Sequence, residues 1–167
     1  MKRFIGGLIV AIPVIAWGAD KSPDQDFFKH AAEGGIAEVE AGSLAQSKGS
    51  SQAVKDFGAM MVKDHTDANA KLQSIAAGEN VNLPSSSGAM HMASKAKLEV
   101  LTGDTFDKAY IKSQVSAHER TVSLFKKEIA SGTDAQAKAF AKETLPTVQA
   151  HLHKIRDIAA QAGVETK

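Results

Sequence analysis

Apolar residues recur three and four positions apart along most of the chain, drawing four long stripes and one short one between residues 23 and 160. That spacing marks amphipathic helices; no stretch shows the period-two alternation of strands. The first helix is predicted over about Pro23 to Ser47, opened by "SPDQD" with a Ser cap, a proline and first-turn acids. The second runs from about Gln52 to Ala77 and stops at Gly78, before the turn-rich "GENVNLPSSSG". A short helix is predicted over Ala89 to Leu101. Long ones follow over Thr105 to Ala130 and Asp134 to Ala160, punctuated by "TGDTF" and "SGTD".

Helices of roughly 25 residues are about 38 Å long. The two pairs joined by very short turns must each be an antiparallel hairpin. The expected fold is therefore all-α, a four-helix bundle of two hairpins, with the short helix in the long connection. A faint internal echo agrees. "KDF" (55–57) and "LQSIAA" (72–77) return as "KAF" (138–140) and "IRDIAA" (155–160), 83 positions later in both cases (55 to 138, 72 to 155).

Histidines interrupt three of the stripes. His65 lies roughly 30° from the centre of the stripe of Val54, Met61 and Leu72. His118, with Gln114, falls inside the stripe of Phe106, Tyr110 and Phe125. His151 lies at the edge of its own, roughly 50° off centre, while His153 points outward. The first helix offers carboxylates instead: Glu38 and Glu40 flank Phe28, Ala32, Ile36 and Val39, and Asp64 flanks the second stripe. A single inward histidine is ordinarily a core hydrogen-bonding group. Three on three helices form a donor set: three imidazoles plus a carboxylate suit one transition-metal ion, Zn, Fe, Mn or Cu. If both hairpin turns lie at one end, the three depths agree to within about 8 Å. If the connection spans the bundle, they converge only near its middle, and less well.

A carboxylate-bridged di-iron centre is not expected. Such bundles carry Glu-x-x-His, and the positions three before His65, His118 and His151 are Val62, Val115 and Val148. "MHM" at 90–92 brings His91 between two thioethers, either a soft donor set for Cu(I) or a helix start with Met as core filler. Pro146 predicts a kink in the last helix, and Gly34–Gly35 in the first predicts close approach of a neighbour. No nucleophilic triad or phosphate-cradling loop is present, so the reading leans away from an enzyme.

Composition narrows the setting. Lys and Arg number 20 against 19 Asp and Glu in 167 residues, with no cluster of basic residues, so nucleic acid is not an expected partner. The N-terminus "MKRFIGGLIVAIPVIAWGAD" reads as a signal peptide, residues 1–19, cleaved after Gly18 or Ala19 and leaving a 20–167 domain. Its apolar run is short for a membrane span, with an uncleaved anchor as the alternative to cleavage, and no other stretch is long and apolar enough to cross one. Cysteine is absent, so neither disulfide nor thiolate chemistry contributes.

The blocks "AAEGGIAEVEAG", "MVKDHTDANAKL", "GDTFDKAYIKSQVSAHERTVSLF" and "AKETLPTVQAHL", in this order, resemble the exported bacterial family called domain of unknown function 4142. Some of its members are labelled outer-membrane proteins. The resemblance covers about residues 24–160. It implies a ferritin-like four-helix fold and a periplasmic or outer-membrane-associated location, with a partner in the envelope left open. It implies no established activity. The family pattern includes Asp64–His65, His118, His151, a histidine at His91, and Glu38 and Glu40. Two functions follow as expectations: a module binding a transition metal through the inward histidines, or a non-enzymatic envelope protein acting by contact.

Overall fold

The computed structural model describes residues 23–166; the expected signal peptide and its cleavage site, and Ser22 as a cap, lie outside them. Five helices follow in order: α1 (Pro23–Lys48), α2 (Gln52–Gly78), α3 (Gly88–Glu99), α4 (Gly103–Ser131) and α5 (Ala135–Gln161). No strand occurs among the described residues. The local chemistry sets the boundaries. Ser51 caps α2, its hydroxyl accepting from Val54 N–H (3.3 Å), and the Asp134 carboxylate caps α5, accepting from Ala137 N–H (2.7 Å). α2 and α5 end alike: Asn80 and Gly163 take φ of 55° and 62°. Val81 N–H and Val164 N–H then reach back to the carbonyls of Ala76 and Ala159 at 2.8 and 2.9 Å. This αL cap satisfies helix-end carbonyls and docks a valine beneath. α5 runs unbroken through Pro146.

The two hairpins lock each other from opposite ends. Asp107, in the second turn of α4, accepts from Ser50 N–H (2.9 Å) and Ser51 N–H (2.8 Å) in the α1–α2 turn. Asp24, at the start of α1, accepts from Thr133 N–H (2.7 Å) and Asp134 N–H (2.9 Å) in the α4–α5 turn. The turns therefore lie at opposite ends, and the connection through α3, which packs on α1 and α4, carries the chain back along the bundle. That is the ferritin-like arrangement. The echo in the sequence is a structural repeat: Asp24 and Asp107, Ser51 and Asp134, Asn80 and Gly163 are all 83 positions apart and play the same parts.

The interior is two apolar cores with a polar layer between. One, around Phe57, Met61, Phe106, Tyr110 and Ile155, lies at the α1–α2 turn end. The other, around Phe27, Phe28, Leu72, Phe125 and Phe140, lies at the α4–α5 turn end. His65 falls between Met61 and Leu72 on α2, and His118 between Val115 and Phe125 on α4, so both sit at the junction of the cores. At that height the helices hold histidines where the repeat elsewhere holds apolar groups.

Candidate metal centre

α2, α4 and α5 each send one histidine into this layer. The ring centroids form a near-equilateral triangle: His65 to His118 6.0 Å, His65 to His151 5.6 Å, His118 to His151 5.6 Å. One nitrogen from each ring lies within 4.8 Å of the other two, and among the described residues no other grouping of three His, Asp or Glu side chains has metal-holding geometry. An ion at their centre would need each ring to move in by less than about 1 Å to reach Zn–N lengths of about 2.0–2.1 Å. Opposite turn ends do not spoil the convergence: His65 and His118 both lie about four turns in from the same end of the bundle, where α2 and α4 begin.

The outer nitrogens are committed and the inner ones are free. His118 Nδ1 is 3.0 Å from the carbonyl of Gln114, one turn earlier. His151 Nε2 is 3.0 Å from the Asp64 carboxylate. Donation of the ring proton to each acceptor leaves a lone pair on His118 Nε2 and His151 Nδ1, the arrangement in which outer partners orient metal-ligating imidazoles. Those two atoms, with His65 Nε2, are buried without a hydrogen-bond partner. Burial pushes the His65 imidazole down to about 4, Glu38 opposing it and the other two histidines assisting. Burial also lowers His151, against the pull of Asp64. At neutral pH these two rings are uncharged, as ligation requires.

A family model described as Domain of unknown function (DUF4142) matches residues 15–158. The chain belongs to this DUF4142 family. No curated protein matches it. Among solved structures it is similar to a protein described as secreted, of the DUF305 family, from Streptomyces coelicolor. The two share a TM-score of 0.74 at 15% identity, over 89% of this chain and 99% of that one, which is a likeness of fold.

The remaining expected site residues of this DUF4142 chain sit around the triangle, outside it. Asp64 addresses His151 and also Lys63 (3.4 Å). Glu38 is buried, its Oε1 4.0 Å from His118 Nδ1, and its Oε2 has no partner. Glu40 points elsewhere, to Lys95 (3.8 Å) and the Ser87 hydroxyl (3.2 Å). His91 lies on α3 and lines a surface cleft that Glu38 also lines. The methionines beside it are not core filler: Met90 and Met92 are 62% and 56% exposed. The glycine pair also divides. A Cβ on Gly35 would overlap the Asn69 side chain at 1.9 Å, so close approach accounts for it; a Cβ on Gly34 would meet nothing within 4 Å, so close approach does not.

Three buried acidic groups that hold the helix ends escape the periodicity argument. Asp24 and Asp107 are helix-start acids whose partners lie 110 and 57 positions away, though the 83-residue echo, extended to them, would have paired them. Glu128 is buried beside Asp24. It stands where the repeat has Ala45, and no local pattern announces it.

Proposed function

We propose that this protein is an exported four-helix module that binds one transition-metal ion through His65 Nε2, His118 Nε2 and His151 Nδ1. The observation that carries the reading is three converging imidazole nitrogens, each buried without a partner, on rings whose other nitrogens are held for two of the three. Buried polar atoms left unpaired are costly unless something completes them. Asp64 orients His151 and Glu38 lies against His118; neither carboxylate joins the inner group, and Glu40 and His91 lie apart from it. An all-imidazole set suits Zn, Cu or Fe better than Mn, which prefers oxygen donors, and offers no bridging carboxylate for a di-iron pair. Export is supported by the signal-like residues 1–19 and agrees with the secreted description of the DUF305 protein.

Metal analysis of untagged protein loaded separately with Zn, Cu, Fe and Mn tests this. Close to one equivalent of Zn, Cu or Fe is expected. Retention under about 0.2 equivalents of every metal overturns it, since a site with this donor set should fill. A second reading makes the histidines core hydrogen-bonding groups in a protein that acts by contact. The His118–Gln114 and His151–Asp64 bonds favour it, but it leaves the inner nitrogens without a purpose. Under it, His65→Gln leaves fold and partner binding nearly intact and no metal is retained.

A further inference from the structure

Two cavities adjoin at the histidine layer. The inner one, about 30 Å³, reaches His65 and is otherwise walled largely by apolar groups such as Leu72, Phe125 and Val148. That volume exceeds the space one water needs and is small enough to exclude a ligand of more than a few atoms. The outer one, about 280 Å³, is a surface cleft under α3 lined by Met90, His91, Ala117 and Arg120. His30, Gly34, Glu38 and Thr121 line both. His30, Gly34 and Glu38 are four apart and share one face of α1, so they form the wall the two cavities share, a waist between the cleft and the inner cavity at His65. Glu38 Oε2 is buried there without a partner, a polar atom left for something that passes or binds. Gly34 gives the waist its width, since its missing side chain would meet no atom within 4 Å. A mid-helix glycine that no packing demands costs helix stability. On the other side the triangle is closed: the Phe57 ring lies 6.1 Å from His118 and 6.5 Å from His151.

We propose that the waist at Gly34 and Glu38 leads a small exogenous ligand, water or an anion of a few atoms, to an exchangeable position beside His65 on the bound metal. Three protein ligands plus one open position is the pattern of reactive rather than structural metal sites. The inference rests on the metal reading above. Arg120 has no carboxylate within ion-pair distance among the described residues, its guanidinium bonding the Ser116 hydroxyl (2.6 Å), and it gives the cleft mouth a positive charge that favours anions.

The test uses Co(II) as the metal and azide as the ligand, followed by visible absorption. In the wild-type chain Co(II) bands appear and shift saturably with azide, while benzoate, too large for the inner cavity, leaves them unchanged. Gly34→Leu should load Co(II) to the same stoichiometry but bind azide at least tenfold more slowly, with Gly34→Ala slowed measurably but by less. Co(II) bands that azide never shifts overturn the proposal and leave the metal reading standing, as does azide binding to Gly34→Leu at the wild-type rate. Failure to take up Co(II) in a chain that holds Zn, Cu or Fe overturns the proposal alone; failure to hold any of these metals overturns both. If Gly34→Leu does not fold, the wild-type comparison decides: a benzoate response equal to that of azide means a freely open site and no waist.

Discussion

The two hairpins share their ends and differ in their middles. At the ends the 83-residue repeat is close: Asp107 holds Ser50 and Ser51 as Asp24 holds Thr133 and Asp134, and the αL caps at Asn80 and Gly163 match bond for bond. At mid-height it breaks. His118 corresponds to Gly35, His151 to Ala68, His65 to Val148 and Glu38 to Thr121, each pair 83 apart (118 and 35, for instance). If folding alone set the middle layer, a repeat this regular would extend apolar packing through it. The histidine triangle exists where the scaffold departs from its own symmetry. The largest effect should come from that departure. His118→Ala should lower metal affinity by at least about 100-fold, and Asp64→Asn, which frees His151 from its orienting partner, by about 10–100-fold. Both are read by competition with a chelator, with helicity unchanged. Equal affinity in all three proteins would mean the symmetric scaffold, not the triangle, holds the ion.

The hairpins also close differently. In the first, α1 and α2 meet backbone to backbone: a Cβ on Gly58 would fall 2.6 Å from the Gly42 carbonyl, and one on Gly42 equally close to that of Gly58. The equivalents in the second hairpin are Phe125 and Ala141, so side chains fill that seam. Gly58→Ala should therefore destabilise by about 2–3 kcal/mol, because neither backbone can yield without moving a helix. The converse change Ala141→Gly should cost about 2 kcal/mol, about 1 from helix propensity and about 1 from the lost buried methyl, without displacing either backbone. Urea unfolding of the two variants measures the contrast.

Much of this was legible in the chain, for a physical reason. Core burial imposes the 3.6-residue period, so helix count, hairpins and the inward rings of His65, His118 and His151 could all be read from the stripes of α2, α4 and α5. What wheels cannot give is relative height when the connection is long, because nothing local says where α3 sends the chain. They also cannot separate groups flanking one stripe. Glu38 and Glu40 look alike on a wheel, yet α4 covers the first, and Lys95 and Ser87 meet the second. The same limit explains Gly34 and Gly35: adjacent residues face different neighbours, and only packing tells which glycine is needed.

The end latches match in geometry and differ in charge, which pH should expose. Burial, then Asp24, pushes the Glu128 carboxyl up to about 7. Burial would raise Asp24, but the Thr133 hydroxyl, the backbone N–H groups of Asp134 and Thr133, and Glu128 outweigh it and bring it down to about 2. Glu128 is thus protonated in the folded state below pH 7, while the unfolded chain ionises it near 4.5. Its contribution is complete below 4.5 and is lost as pH rises through 7. Asp107 has the opposite sign. Burial would raise it, but Ser50 and Ser51 hold it below the usual value, so its contribution is lost on acidification. Glu128→Gln should melt close to wild type at pH 5 and at higher temperature than wild type at pH 8. A difference independent of pH would mean the two ends carry the same charge state.

The smallest expected effect is the most discriminating for the departure from symmetry. Gly34 corresponds to Ala117 in the repeat (34 and 117), so alanine is what the scaffold places there. A methyl at Gly34 meets no atom within 4 Å, and α1 keeps an ordinary helical conformation at that position. Gly34→Ala should therefore stabilise the protein by about 0.5–1 kcal/mol, through helix propensity and a less flexible unfolded chain. Gly35→Ala must displace the Asn69 side chain and should return none of that gain. Thermal unfolding of the two neighbours side by side reads the difference. A stabilising Gly34→Ala means the natural glycine is retained against stability, as expected of a residue that keeps a passage open. A destabilising one would make Gly34 another packing glycine and remove the reason for a waist at that point.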